Sequence, residues 1–192
     1  YTAGGLALLL NPFIRLCFGE SYLFSAATVM VVVIQFYLSG MRQINLQFRS
    51  AMGLFWHDRY KAVFEAVINL VASLILVQAY GVAGVIGGTI VSTVTTCFWI
   101  EPYVLMRYGI KENWKQRLSK YFIDYGVRTV SVCIAYALAY WLCSSFTDNG
   151  ILGFIGGGAA YTVIFAVVAL IFYGRTEELK YLMCTVFKRK KQ

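Results

Sequence analysis

The chain has 192 residues, of which 59% are hydrophobic and only 14% are charged, and its mean hydropathy is +0.66. A soluble domain carries about 25% charged residues, so this composition excludes a soluble core, a secreted disulfide scaffold and a disordered tail. The 17 basic and nine acidic residues give a net charge of +8 and leave five charge-free runs, at 1–14, 21–41, 66–100, 129–147 and 149–174. About 20 apolar residues of helix cross a hydrocarbon core, so the runs indicate a membrane protein.

The charge-free runs predict six membrane-spanning helices, because one run is long enough for two. Residues 66–100 would form a helix of about 52 Å, which exceeds one crossing of about 30 Å. Tyr80 and Gly81 mark the expected turn, since glycine readily adopts a positive φ and ends helices. Backbone amides in lipid need partners within their own segment, so every segment should be helical. The predicted spans are 1–17, 21–48, 62–79, 82–106, 127–146 and 150–173.

Basic residues fall in alternate loops and predict the orientation. Lys and Arg occur at 49–61, at 107–128 and in the tail from 175, whereas 19–20, 80–81 and 147–149 contain neither. Basic residues accumulate in cytoplasmic loops, so we expect a cytoplasmic C-terminus and a basic cytoplasmic tail at 176–192. The net charge then reflects topology and attraction to membrane lipid, and no nucleic-acid partner is expected.

One of these loops has the pattern of a helix lying in the inner membrane interface. From Trp114, the apolar residues Leu118, Phe122 and Tyr125 recur at spacings of four, four and three, with lysines between them. Such an amphipathic pattern with a basic polar face is typical of interfacial helices. We therefore expect an interfacial helix over 112–125, separate from the span that follows; solvated loops that only fix the topology are the alternative.

Polar residues form a stripe along the second predicted span. Gln35, Arg42, Asn45 and Arg49 follow one another at spacings of seven, three and four, which places them on one helix face. Counted from Ser21, Arg42 lies about 31 Å along the helix, at the inner boundary. Polar side chains are costly in lipid, so the stripe indicates a face that lines a cavity. The alternative is a packed polar face with an interfacial arginine.

The third predicted span carries a second polar face. Glu65, Asn69 and Ser73 recur at intervals of four. Counted back from the turn at Gly81, Glu65 lies inside the inner boundary, which makes it the candidate group for proton or cation binding. A structural ion pair with an arginine of the preceding helix, Arg42 or Arg49, is the alternative.

Two further charged residues are expected near the membrane boundaries. Glu101 precedes the helix-breaking residue Pro102 and lies about 30 Å from the turn at Gly81, so we expect it at the interface. Arg15 lies near the outer face. It either snorkels to the headgroups or lies at the outer mouth of a cavity.

No residue pattern indicates an enzyme or a metal site. The five cysteines have no metal-ligand spacing and are expected to be packing residues. The only histidine, His57, is next to Asp58, and we interpret the two as an ordinary loop pair. There is no phosphate loop, dinucleotide motif or Ser/His/Asp set in the sequence.

The chain resembles the C-terminal half of bacterial polysaccharide repeat-unit flippases in three stretches: LLNPFI and FGESY within 9–22, RSAMG at 49–53, and YGVAGVIGGT at 80–89. These flippases belong to the multidrug/oligosaccharidyl-lipid/polysaccharide exporter superfamily, whose members build two six-helix bundles around a central cavity. The motifs cover about residues 1–110, and helix count and basic C-terminus extend the likeness to the end. The resemblance implies an all-α integral membrane protein in which residues 1–175 form the C-terminal bundle. The N-terminal bundle is then expected elsewhere in the same polypeptide.

The resemblance also implies a function in the bacterial cytoplasmic (inner) membrane. Flippases of this family move undecaprenyl-diphosphate-linked oligosaccharides to the outer leaflet for O-antigen, capsule or exopolysaccharide synthesis, without enzymatic chemistry and by alternating access of the two bundles. The implied partners are this lipid-linked substrate, membrane lipid and the polysaccharide polymerase machinery.

Within that function, the polar residues acquire expected roles. A diphosphate needs cationic partners in a low-dielectric cavity, which Arg42 and Arg49 can supply. Gln35 and Asn45 would donate to sugar hydroxyls, and Arg15 would lie at the cavity mouth. The remaining polar face, Glu65 with Asn69, would couple transport to H⁺ or Na⁺, and no other cofactor is expected.

Three alternative functions make different sequence demands. A cation-coupled multidrug antiporter of the same superfamily should have acidic residues deep in its cavity and fewer arginines there. A noncatalytic membrane assembly subunit should have no polar lumen face. A membrane polymerase or ligase would need a sizeable external loop, and the predicted external loops have only a few residues, which argues against this class.

Overall fold

The computed structural model describes residues 1–143 and 150–173, and every regular element within these ranges is helical. The main helices are α1 (Thr2–Phe18), α2 (Ala26–Ala51), α3 (Lys61–Tyr80), α4 (Val82–Ile110), α5 (Trp114–Cys143) and α6 (Gly150–Tyr173). Short 3₁₀ helices occupy Glu20–Tyr22 and Leu54–Asp58.

Within the described residues, five helices are long and apolar enough to cross a membrane, namely α2 to α6. The described part of the chain is therefore all-helical, and its apolar helices indicate a membrane protein. Helix α1 is also apolar but has only 17 residues, so its role as a sixth span stays a prediction. The predicted basic tail at 176–192 lies outside the described residues.

The helices form two compact units. Unit 1 contains Tyr1–Glu20 and the described residues from Val127 onward, whereas unit 2 is Ser21–Gly126. Helix α5 contributes its first part to unit 2 and the remainder to unit 1.

Unit 1 is built around one buried tyrosine. Tyr161 on α6 is only 1% exposed and packs with Leu8 of α1 and Ala139 of α5. Its hydroxyl donates to the backbone carbonyl of Tyr1 at 2.7 Å. Gly4 lies against the ring of Tyr161, so the absence of a side chain there lets α1 approach α6.

Unit 2 contains a tightly packed hairpin of α3 and α4. The two helices meet at Gly81, whose φ of 57° is in the region that favours glycine, at the turn that the sequence predicts. A Cβ at Gly84 would collide with the backbone of Leu76, and one at Gly88 with the backbone of Ser73. These two glycines therefore let the backbones of α3 and α4 touch.

Helix α2 begins later than the expected residue 21. Ser25 is its N-cap, and its Oγ accepts from the backbone N–H of Thr28 at 3.2 Å. A serine in this position satisfies a helix amide that would otherwise lack a partner, which fixes the start. Counted from Ala26, Arg42 lies about 24 Å along the helix. This distance is shorter than the one counted from Ser21 and shorter than the thickness of a hydrocarbon core, about 30 Å.

Helix α4 continues through Pro102, as the predicted span 82–106 requires, although proline is a helix-breaking residue type. Two π-helical segments, Thr93–Cys97 and Leu105–Ile110, lie on either side of the proline-containing turn. Threonine hydroxyls help to satisfy carbonyls near the first segment, since Thr96 Oγ1 donates to the carbonyl of Ser92 at 2.5 Å. These segments accommodate the proline within one helix that runs to residue 110 instead of 106.

Helix α5 has no break between the expected interfacial helix and the expected span. It starts at Trp114, after Lys111 and Asn113 adopt positive φ values of 65° and 47°. Gly126 lies inside the helix and is not among the residues with positive φ. One glycine in a helix interior costs only about 1 kcal/mol, so it does not end the helix. The expected end of this span, at 146, lies outside the described residues.

Candidate functional site

Four charged side chains from three helices of unit 2 form one network. Arg42 of α2 donates through both terminal nitrogens to the carboxylate of Glu65 on α3, at 2.8 and 3.1 Å. Its Nε donates to Oε1 of Glu101 on α4, at 2.7 Å. Lys61 of α3 donates to the same oxygen of Glu101. We call these four residues the charge network.

The charge network is buried unevenly and carries no net charge. The side chains of Lys61 and Glu101 are only 5% and 2% exposed, whereas those of Arg42 and Glu65 are 24% and 23% exposed. Two cations balance two carboxylates, which lowers the cost of placing these charges away from water. The network therefore has a buried arm, Lys61 with Glu101, and a more accessible arm, Arg42 with Glu65.

Sequence reasoning found half of the network. The ion pair of Arg42 with Glu65 was the structural alternative for Glu65, and the structure contains that pair. Glu101 was expected at the membrane interface, which stays a prediction, and its carboxylate is buried between two cations. Lys61 was treated as a topology residue only. Its spacing of four from Glu65 on α3 was the one signal that it shares a face with that residue.

The first π-helical segment explains how Glu101 reaches the network. A π-helix has more residues per turn than an α-helix, so Thr93–Cys97 changes the direction in which the following residues face. A face assignment based on 3.6 residues per turn therefore fails beyond Ser92. Cys97 lies at the end of this segment and is only 1% exposed. Its thiol lies beside Glu65.

A small polar cavity adjoins the charge network. Its volume is about 20 Å³, and its lining includes Arg42, Glu101, Asn45, Thr93 and Tyr121. Asn45 is buried at 5% exposure and donates to the hydroxyl of Tyr121 on α5 at 2.8 Å. This space suffices for about one water molecule. In the described conformation, the cavity beside Arg42 is thus too small for a sugar.

The other residues of the predicted α2 stripe lie in different surroundings. Gln35 donates from Nε2 to the hydroxyl of Ser39 at 3.3 Å, while its Oε1 is buried without a hydrogen bond among the described residues. The guanidinium of Arg49 lies 5.8 Å from the centre of the Phe55 ring. Of the stripe, Arg42 belongs to the charge network, and both Arg42 and Asn45 line the adjoining cavity.

Asn69 holds the α3–α4 hairpin together. Its Oδ1 accepts from Ser73 at 3.0 Å and from Thr89 of α4 at 3.4 Å. Its observed partners are thus neutral hydroxyls, and the predicted ion-coupling role stays a prediction. Arg15 lies in unit 1, where it pairs with Glu20 at 3.0 Å, and both side chains are exposed, at 45% and 75%.

Neither metal geometry nor similarity assigns a function to the site. In the part of the chain that the structure describes, no group of three or more His, Cys, Asp or Glu residues is arranged to hold a metal ion. Compared with known protein families, curated proteins and solved structures, the chain matches none. The function must therefore be inferred from the residues and their geometry.

Proposed function

We propose that the chain forms the C-terminal bundle of a transporter that flips undecaprenyl-diphosphate-linked oligosaccharides from the cytoplasmic to the outer leaflet of the bacterial cytoplasmic membrane. The three sequence stretches that resemble such flippases support this proposal. The observation that carries it is the guanidinium of Arg42, which belongs to a helix long and apolar enough to cross a membrane and donates to carboxylates of two other helices. An intramembrane arginine held in this way is typical of a substrate or ion pathway.

In this cycle, a phosphate of the diphosphate replaces the Glu65 carboxylate as the partner of the Arg42 guanidinium. That guanidinium holds the Glu65 carboxylate through two parallel N–H donors, and two oxygens of a phosphate fit the same fork. The pair is also the more accessible arm of the network. Glu101 keeps Lys61 as a partner throughout the cycle, because this pair is buried. The pair also does not involve the two terminal nitrogens of Arg42 that change partner.

Charge balance links this exchange to a proton. A carboxylate left without a cation at membrane depth is costly, and breaking a buried ion pair costs about 3–5 kcal/mol. Glu65 avoids this cost when it takes up a proton as the diphosphate arrives. Release of the diphosphate on the other side returns Glu65 to Arg42 and frees the proton, so substrate and H⁺ move in a coupled cycle.

The oligosaccharide requires a more open conformation than the one described. The cavity beside Arg42 has a volume of about 20 Å³, so helices must separate before a sugar enters, as alternating access between two bundles requires. Gln35, whose buried carbonyl oxygen accepts no hydrogen bond from the described residues, and Asn45 then contact sugar hydroxyls.

Reconstitution of the full-length protein into vesicles tests the proposal with a defined diphosphate-linked oligosaccharide. Arg42→Ala should abolish flipping, and Arg42→Lys should retain a reduced rate, because lysine keeps the charge but loses the fork. Arg117→Ala is the matched control, since Arg117 is an exposed arginine near the start of α5. Wild-type flipping by Arg42→Ala would contradict the proposal.

A cation-coupled multidrug antiporter is the second candidate, and the burial of Glu101 favours it. This carboxylate is 2% exposed, and an acidic group deep in the fold is what such an antiporter needs. The same vesicles separate the two functions when an organic cation replaces the lipid-linked sugar under a H⁺ or Na⁺ gradient. Uptake of that cation by the wild type without sugar flipping, and its loss in a Glu101→Gln protein that circular dichroism shows to be folded, would establish the antiporter. An assembly subunit would transport neither compound.

A further inference from the structure

Unit 2 carries an arginine enclosed by aromatic rings at the end where its basic loops lie. The guanidinium of Arg59 is 4.0 Å from the ring centre of Trp56 and 4.6 Å from that of Tyr60. It also donates to the Tyr60 hydroxyl at 2.8 Å. Both rings are open to the surroundings, with Trp56 73% and Tyr60 63% exposed. These contacts hold the cation in place on an exposed apolar support.

A second arginine, Arg107, has the same kind of surroundings. Its guanidinium lies 5.4 Å from the ring centres of Tyr103 and Tyr108 and 5.7 Å from that of Trp114. It donates to the hydroxyl of Tyr103. The ammonium of Lys115 adds a further cation 5.6 Å from Trp114. Cations and aromatic rings thus alternate over this part of unit 2.

The two arginine sites belong to one surface. His57, next to Trp56, stacks on Tyr108 with 4.0 Å between the ring centres, which joins the Leu54–Asp58 turn to the end of α4. We call this the arginine–aromatic surface. It consists of Trp56, His57, Arg59, Tyr60, Tyr103, Arg107, Tyr108, Trp114 and Lys115.

The chemistry of this surface fits the phosphate of a membrane lipid. Tryptophan and tyrosine prefer the level of the headgroups, where one part of the ring meets hydrocarbon and another meets water. A guanidinium at that level binds phosphate oxygens through paired N–H donors. A free phosphate in water would use the cations but leave the exposed rings without a partner. A lipid engages both, because its acyl chains cover the rings.

We propose that the arginine–aromatic surface binds acidic glycerophospholipids, with Arg59 and Arg107 as the phosphate-binding groups. This binding is more specific than the general attraction of a basic protein to an anionic leaflet. Lys111 and Arg117 contribute to that general attraction, and no aromatic ring holds either one among the described residues. Every glycerophospholipid presents a phosphate, and two held guanidinium groups favour a lipid whose headgroup carries no compensating cation, because like charges repel. The proposal does not depend on the transported substrate, because Arg42 has no part in it.

Native mass spectrometry of the full-length protein, purified with phosphatidylglycerol and phosphatidylcholine in equal amounts, tests this surface. The wild type should retain phosphatidylglycerol in preference to phosphatidylcholine. The double variant Arg59→Gln/Arg107→Gln should bind phosphatidylglycerol about 100-fold more weakly, because each lost charge-assisted contact between a guanidinium and phosphate weakens binding about tenfold or more. The matched double variant Lys111→Gln/Arg117→Gln removes the same charge and should lose much less.

Three outcomes would overturn the proposal. One is equal retention of the two lipids by the wild type. Another is an equal loss in the two double variants, which would reduce the effect to net charge. The third is displacement of the lipid by millimolar inorganic phosphate, which would identify a site for free phosphate. An unchanged melting temperature for Arg59→Gln/Arg107→Gln, expected because both arginines lie at the surface, shows that lost binding is not lost folding.

Discussion

Unit 1 and unit 2 hold their helices together by different chemistry. Unit 1 packs Leu8, Ala139 and Tyr161 into an apolar contact, and its ion pair between Arg15 and Glu20 is exposed. Unit 2 joins α2, α3 and α4 through four charged side chains, two of which are almost fully buried. Both units therefore pack helices that suit a membrane, but only in unit 2 do the described residues place charges inside.

The difference indicates where function resides. Lipid is as apolar as a leucine side chain, so helices in a membrane associate through close packing and hydrogen bonds, which unit 1 achieves without buried charge. Replacing a buried ion pair by well-packed apolar residues is often neutral or stabilising. Folding alone therefore does not require the charge network. The proposed transport cycle, in which the pair of Arg42 with Glu65 opens and closes, would require it.

The largest effect is expected when the buried arm of the charge network, Lys61 with Glu101, is broken. Glu101→Gln removes the buried carboxylate that Lys61 and Arg42 share, so we expect a loss of about 3–5 kcal/mol in the free energy of unfolding. Titration of the purified protein with a denaturing detergent measures it. Glu20→Gln, which breaks the exposed ion pair of unit 1, is the control and should cost less than about 1 kcal/mol. Equal losses would show that the two units do not differ in this way.

The next effect concerns close packing in unit 2. In Gly88→Ala the new Cβ would lie within 2.7 Å of backbone atoms of Ser73, so α3 and α4 must separate. Overpacking of this kind costs about 1–3 kcal/mol. Gly87→Ala on the same helix contacts only a flexible Leu76 side chain, at 3.4 Å, and should be tolerated. Melting temperatures of the two variants compare them, and a more severe defect in Gly87→Ala would contradict the described packing.

A smaller effect tests the centre of unit 1. Tyr161→Phe keeps the ring against Leu8 and Ala139 but removes the hydrogen bond to the Tyr1 carbonyl. One neutral hydrogen bond contributes about 0.5–1.5 kcal/mol, so unfolding should become easier by about that amount. A loss as large as that of Glu101→Gln would mean that unit 1 depends on polar contacts as strongly as unit 2.

The smallest effect is expected at the exposed pair itself. Arg15→Gln removes the contact with Glu20, and exposed ion pairs contribute about 0–1 kcal/mol. Both stability and flipping by the full-length protein should stay close to wild type if Arg15 only snorkels. A strong flipping defect with normal stability would instead place Arg15 at the mouth of a cavity.

The parts of the fold that depend on local chemistry were predictable from the sequence. A charge-free run of 35 residues is too long for one crossing, and Gly81 supplies the positive φ that the turn adopts. The pair of Arg42 with Glu65 was also foreseen as an alternative, because polar residues at helical spacing on neighbouring helices restrict their possible partners.

The remaining features depend on departures from regular helix geometry. Two π-helical segments carry α4 through Pro102 and change the face of Glu101, and a period of 3.6 residues does not encode such a shift. Helix α5 continues through Gly126, which does not adopt a positive φ. The free-energy cost of one glycine inside a helix is too small to end it. The lysines within 112–125 indicated an interfacial helix separate from the span that follows. A pattern of charges does not interrupt backbone hydrogen bonds, so the two form one helix.

The central claim is that a diphosphate replaces the Glu65 carboxylate as the partner of Arg42. Proton uptake on substrate binding tests this claim most directly. Titration calorimetry of the full-length protein with a diphosphate-linked oligosaccharide, in two buffers of different ionisation enthalpy, gives the number of protons that accompany binding. The wild type should take up a proton and Glu65→Gln should take up none while still binding. Wild-type binding without proton uptake, or uptake that persists in Glu65→Gln, would contradict the exchange.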